Sequence, residues 1–277
     1  MVTARGSTKE DSHRVQSAIL YSPFFLKHQA PNYHPENPQR LEAILEAFKK
    51  SAFSKNIETI EPKPASKEQI ALNHSVKYIE ELESFCKAGG GYLDDTYANE
   101  YSYISAALAA GAGINTVDMI IDNKISKGFC LVRPPGHHAE HDKAMGFCLF
   151  NNAAITAKYA LSKGFKKILL LDFDAHHGNG TQNSFYYTDQ VLYISYHQWP
   201  HYPGTGSAEE KGEGDGLDYT INIPLETGSG NKEFLELFDK IVQPAADKYQ
   251  PDLIIVSGGF DSHKDDPLAQ LNLTDDG

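Results

Sequence analysis

A chain of 277 residues with 40% hydrophobic content can bury a large core, and its composition argues against a disordered, collagen-like or membrane protein. Its net charge of -12 disfavours direct binding to nucleic acid and mildly favours a cationic substrate, although an acidic surface more often serves solubility alone. Three cysteines, Cys86, Cys130 and Cys148, without a Cys-x-x-Cys pair, point to neither a disulfide framework nor a structural zinc knuckle, and a reducing, cytoplasmic setting follows, or a nuclear one in a eukaryote.

Residues 1–16 are polar and charged, lack the apolar stretch of a secretory signal and are expected to form a flexible tail, leaving one α/β domain over 17–277. No segment approaches the roughly 20 apolar residues of a membrane span, so no membrane contact is expected. In chain order the expected elements are a strand from Ser17 to Tyr21 and helices from Pro38 to Ala52, Val76 to Cys86 and Tyr101 to Ile121. There follow a strand from Phe129 to Val132, a helix from Asn152 to Leu161, and strands from Ile168 to Phe173 and Val191 to Ser195. A helix from Lys232 to Tyr249 and a strand from Leu253 to Ser257 complete the series. This alternation is the signature of βαβ units and a mainly parallel sheet. The Gly-rich acidic stretch 204–216 reads as a surface loop, because no helix start with Gly-Lys-Ser/Thr follows to make a phosphate site.

The run Asp172-Phe173-Asp174-Ala175-His176-His177-Gly178-Asn179-Gly180 places three candidate metal ligands at the end of a buried strand. Alternation along an extended chain would send Asp172, Asp174 and His176 to one side, while His177 and the glycines turn the backbone away. Three more clusters follow strand ends, where open α/β sheets bind ligands. One is Arg133-Pro134-Pro135-Gly136-His137-His138, whose histidines could be incidental surface residues. Another is Ser257-Gly258-Gly259-Phe260-Asp261, where a lone Asp is as often a helix cap as a ligand. The third is the aromatic loop from Tyr196 to Gly206, which alone could be a packed corner. In combination, Asp174, His176 and Asp261 give three ligands with positions left open, the catalytic pattern for zinc. A pair of imidazoles beside such a metal suits hydrolysis, where water loses a proton and the leaving group gains one.

Several pieces now stand in one order: His34-Pro35-Glu36-Asn37-Pro38-Gln39-Arg40-Leu41, Arg133 to His138, Gly146-Phe147-Cys148, Asp172 to Gly180, Tyr202-Pro203-Gly204-Thr205-Gly206, Gly258 to Asp261 and Asp266-Pro267-Leu268. The chain resembles the zinc-dependent histone deacetylase family and its bacterial relatives, the acetylpolyamine amidohydrolases and acetoin-utilisation deacetylases. The resemblance implies a single-domain, three-layer α/β/α fold of the arginase/deacetylase kind. It implies one Zn2+ held by Asp174, His176 and Asp261, and an acid/base pair, His137 and His138, supported by Asp172 and Asn179. Phe147 and Tyr202 would wall a tunnel for the alkyl chain of an acetylated lysine or polyamine. Ordinary core packing is the alternative for both. Asp95 falls near where the family holds a substrate's backbone, and an exposed loop carboxylate is the plainer reading of it. The family also binds K+ as a structural ion, here involving Asp172, Asp174, His176 and Ser195, with a second site near Phe185, Thr188 and Val191.

The implied reaction is hydrolysis of an acetylated amine to acetate and free amine without a covalent enzyme intermediate, His138 protonating the leaving amine. The family supplies an oxyanion donor from a Gly-Gly-Tyr turn after one further strand, and this sequence reaches Asp275-Asp276-Gly277 first. The resemblance therefore implies a domain truncated at its C-terminal end, or a weak or silent form. Two rival functions stay open: an arginase-type ureohydrolase with two manganese ions, and a catalytically silent acyl-lysine binding module.

Overall fold

In the computed structural model, which describes residues 2–4, 17–31 and 33–277, the alternating apolar runs build two α/β units, 1–163 and 164–277. The first contains β1 (Val2–Ala4), β2 (Ser17–Leu20), α1 (Gln39–Lys50), β3 (Glu58–Ile60), α2 (Lys67–Ile70), α3 (Val76–Lys87), β4 (Gly91–Leu93), β5 (Thr96–Ala98), α4 (Ser102–Ile121), β6 (Lys127–Cys130) and α5 (Asn152–Ser162). β3, β2 and β6 run parallel, and β1 pairs antiparallel with β6. The expected N-terminal tail thus differs at Val2–Ala4, where backbone pairing recruits the segment as a strand. Residues 5–16 of that tail lie outside the described residues.

α4 corrects the reading that no segment is long and apolar enough to cross a membrane, since its 20 residues meet that test by length and composition. Most of it is nevertheless buried within the unit. Ala106, Ala110, Ile114 and Val117 are inaccessible, and small side chains let α5 and β6 pack closely around it. β4 and β5 form a hairpin whose two connecting residues are Asp94 and Asp95, with Asp94 at φ 59°. Three-residue strands are too short for periodicity to reveal, but a two-residue turn starting at positive φ suits Asp.

A buried ion pair ties the unit together. Arg133, 1% exposed, donates through Nη2 to Glu36 Oε2 (2.7 Å), through Nε to Glu36 Oε1, and through Nη1 to the Phe25 carbonyl (2.9 Å). Burial alone would raise the Glu36 carboxyl, but the hydrogen-bonded guanidinium outweighs it and holds the group below the usual carboxylate range.

The second unit contains β7 (Ile168–Asp172), α6 (Asn179–Phe185), β8 (Val191–Gln198), β9 (Thr220–Leu225), α7 (Asn231–Leu237), α8 (Gln243–Tyr249) and β10 (Leu253–Ser257). Its four strands lie in the order β10-β7-β8-β9, all parallel. Every residue of β8 is buried, as a strand covered on both faces requires. Asp172 and Ser257 end their strands side by side, in one register row with Ser195 of the longer β8, at the edge where ligands gather in such sheets. The helix expected from Lys232 to Tyr249 is interrupted by a π-helical turn, Phe238–Val242. Pro244 follows it and explains it, because proline has no N–H to donate and its ring crowds the carbonyl four residues back.

Three buried histidines give the fold a pH signature. Burial lowers His28, His74 and His197 to about 4. Unfolding restores values near 6.5, so the unfolded chain binds more protons between those limits and stability falls as pH drops from about 6.5 toward 4. At pH 5 each histidine should cost about 2 kcal/mol relative to neutral pH. Urea unfolding at pH 7 and pH 5 should show the lower midpoint at pH 5, and equal midpoints would contradict the neutral burial of these rings.

Candidate metal centre

Extended chain stops at Asp172, and 173–178 bend repeatedly before α6 begins at Asn179. Strand alternation therefore does not bring Asp174 and His176 together, contrary to the expectation from spacing. Turns capped by carboxylates do so instead. Asp174 N–H donates to Asp172 Oδ1 (3.2 Å), and His176 N–H donates to Asp174 Oδ1 (2.8 Å). Asp172, fully buried, is turned into this support and stands apart from the ligand cluster; the Tyr193 hydroxyl lies 3.5 Å from its Oδ2.

Asp261 arrives from the turn after β10. Its Oδ1 accepts the Ala175 N–H at 2.9 Å, and its Oδ2 lies 2.7 Å from His176 Nδ1, which is 3.1 Å from Asp174 Oδ1. Gly259 makes the approach feasible, since a Cβ there would lie 1.8 Å from Asp174 Oδ2. One ligand atom from each of Asp174, His176 and Asp261 lies within 4.8 Å of the others, the only such group of three among the described residues.

The electrostatics show the charge this cluster attracts. Burial disfavours a charged His176, yet hydrogen bonds donated to Asp174 and Asp261 outweigh it and push the imidazole up to about 10. Burial, together with the neighbouring Asp174 charge, raises the Asp261 carboxyl. Two carboxylates thus converge on one nitrogen and draw in positive charge. A divalent cation satisfies that demand better than a proton, and the two-carboxylate, one-imidazole set leaves coordination positions open, as a catalytic zinc site requires.

Around the cluster the aromatic loop supplies Tyr202, whose ring centroid is 6.2 Å from that of His176, and His201, at 5.0 Å. Tyr202 is 37% exposed, which core packing does not explain. His201 was not apparent from the sequence; its signal was only its place beside Tyr202 in the Tyr202-Pro203-Gly204 piece. Asn179, buried, opens α6 with its N–H on the His177 carbonyl (2.9 Å).

In the first unit His137 and His138 are buried, at 7% and 4% exposure, with ring centroids 3.9 Å apart. They are therefore not incidental surface residues. Phe147 holds φ 67°, a strained value for a bulky residue, and its ring meets His34 edge-on at 4.7 Å. Asp95 corrects the exposed-carboxylate reading: half-buried, its Oδ1 accepts the Gly146 N–H (2.9 Å) and the Thr96 hydroxyl (2.9 Å), while Thr96 Oγ1 accepts the Phe147 N–H (3.0 Å). These bonds keep Phe147 in its unfavourable conformation. Asp95→Ala is expected to lower the free energy of unfolding by about 1–3 kcal/mol, read by urea titration, and an unchanged midpoint would show that the turn holds itself.

The histone deacetylase domain model matches residues 34–277. A probable deacetylase of Archaeoglobus fulgidus is 40% identical over 260 residues, spanning 93% of this chain and 72% of that protein. A histone deacetylase-like amidohydrolase of Pseudomonas aeruginosa is 38% identical over 247 residues, spanning 87% of this chain and 64% of that protein. Among solved structures, the crystal structure of the HDA15 HD domain matches with a TM-score of 0.90 at 38% identity, covering 94% of this chain and 76% of its own. The fold is accordingly the α/β fold of a deacetylase domain, and the chain belongs to the histone deacetylase family.

Proposed function

We propose that this chain is a zinc-dependent amidohydrolase that removes acetyl groups from acetylated lysine or polyamine-type amines. The observation that carries the reading is the convergence of Asp174, His176 and Asp261 at the carboxyl edge of a parallel sheet, in a chain of the deacetylase family. Bound by these three side chains, Zn2+ supplies Lewis-acid polarisation of the amide carbonyl and acidification of water.

The protein's own groups do the rest. In this reading His137 and His138 accept the proton that water gives up as it adds to the carbonyl carbon. When the C–N bond breaks, His138 returns a proton to the departing amine nitrogen, so that acetate and a neutral or protonated amine are released. Asp172 supports His137 and Asn179 supports His138, fixing ring orientation and tautomer. Phe147 and Tyr202 flank the alkyl stem and exclude water from it. K+ bound beside the zinc strand belongs to the same reading as a structural ion.

Acetate release from a panel containing an acetyl-lysine peptide, acetylated polyamines and small acetylated amines tests the activity, with metal counted in the same preparation. One zinc per chain and turnover of at least one panel member are expected. Two manganese ions with urea production from a guanidino substrate would replace this reading with a ureohydrolase. Bound zinc with no turnover of any member would leave only an acyl-lysine binding module.

A further inference from the structure

The loop between β8 and β9 is fastened within the second unit by a polar network that the proposed chemistry does not use. Glu210 Oε1 accepts the Gly206 N–H (2.9 Å) and the Ser207 N–H (3.0 Å), and its Oε2 accepts from the Gln182 amide (2.5 Å). Gln182 Oε1 in turn accepts from Asn222 Nδ2 (2.7 Å) and faces His177 Nε2 at 3.0 Å. An acceptor on that side places the His177 proton on Nε2, so Nδ1 accepts the Thr205 hydroxyl at 2.8 Å. His197 Nε2 donates to the Gly206 carbonyl at 2.7 Å.

The backbone fits this seat closely. Gly206 sits at φ 96°, and a Cβ there would lie 2.6 Å from atoms of both the His177 and the His197 rings. At its other end the loop is fixed by the Trp199 N–H on the Leu225 carbonyl (2.8 Å). His201 and Tyr202, whose ring centroids lie 5.0 and 6.2 Å from that of His176, hang between these fastenings. The burial of His177, Gln182, Asn222 and His197 makes the lower fastening rigid, and Glu210 is the charged group that joins it to the loop.

We propose that Glu210 is a positioning residue: its carboxylate sets where Tyr202 stands beside the metal cluster, and thereby how tightly the alkyl stem of the substrate is held. The proposal rests on the amidohydrolase reading. A wall that grips the stem equally before and during reaction acts on KM and leaves kcat alone.

The test uses the whole chain. In Glu210→Gln the new amide faces the Gln182 amide, two donors without an acceptor, whereas adding Gln182→Glu restores donor to acceptor. Trp199 is the only tryptophan, so its quenching by acrylamide reports loop mobility without any turnover. Glu210→Gln is expected to raise KM about tenfold with kcat within about twofold and bound zinc unchanged. Trp199 quenching should increase, and the double variant should restore both readings. Should Glu210→Gln fail to fold, Thr205→Val removes the hydroxyl on His177 and is expected to shift KM and quenching in the same direction. Unchanged quenching and KM, a fall in kcat at constant KM, or no rescue by the double variant would overturn the positioning role. Failure of the wild type to release acetate would instead sink the amidohydrolase reading, while quenching and its rescue would still judge the clamp.

Discussion

Asp174→Ala is expected to abolish metal binding and hydrolysis together while leaving circular dichroism close to that of the wild type. Asp174 is one of three candidate ligands, and its loss leaves one carboxylate and one imidazole, too few to hold zinc against solvent. The rate should fall by on the order of 1,000-fold or more, since Lewis-acid stabilisation of the transition state amounts to several kcal/mol. The fold should survive because Asp174 lies in the bends after β7, outside the hydrophobic cluster built on Leu169, Leu192 and Ile194. Asp174→Asn keeps an acceptor for the His176 N–H and removes only the charge, so it should bind zinc weakly with an intact turn. Metal analysis after gel filtration decides the matter. A tightly bound zinc in Asp174→Ala would refute the ligand assignment.

His138→Ala should lower kcat by about 100- to 10,000-fold with zinc retained, the range expected for a general acid and base. His137→Ala should cost less. The difference follows from the proposed roles: His138 also returns a proton to the leaving amine, whereas His137 shares only in accepting the first one. Both rings are buried, so each alanine leaves a small cavity, and thermal unfolding of the two variants provides the control for stability. Equal turnover in wild type and His138→Ala would end the role assigned to that ring.

The grouping of Asp174, His176 and Asp261 was legible in the sequence because each follows an unmistakable apolar strand, and turn residues mark where chemistry can start. The reason given by spacing was incomplete: side-chain caps from Asp172 and Asp174 shape the bends, and such caps leave no periodic trace. Long helices such as α3 and α5 announced themselves by period. The β4–β5 hairpin did not, and with it went the duty of Asp95, whose partner Gly146 lies 51 positions away. β9 escaped notice because its Thr-Ile-Asn-Ile-Pro-Leu run mixes polar residues and a proline into a strand at the end of the β10-β7-β8-β9 order. The role of Glu210 was hidden for a similar reason. Within a Gly-rich acidic stretch it looked like one solvated charge among several, and only its partners distinguish it.

The Glu36–Arg133 pair bears on how the chain is made. The two residues stand 97 positions apart, and neither charge enters an apolar interior without the other. On the ribosome the segment 34–41 emerges long before its guanidinium partner exists, so it stays in water while α1, α3 and α4 are being synthesised. This buried pair can therefore close only once Arg133 has been made, late in the synthesis of the first unit.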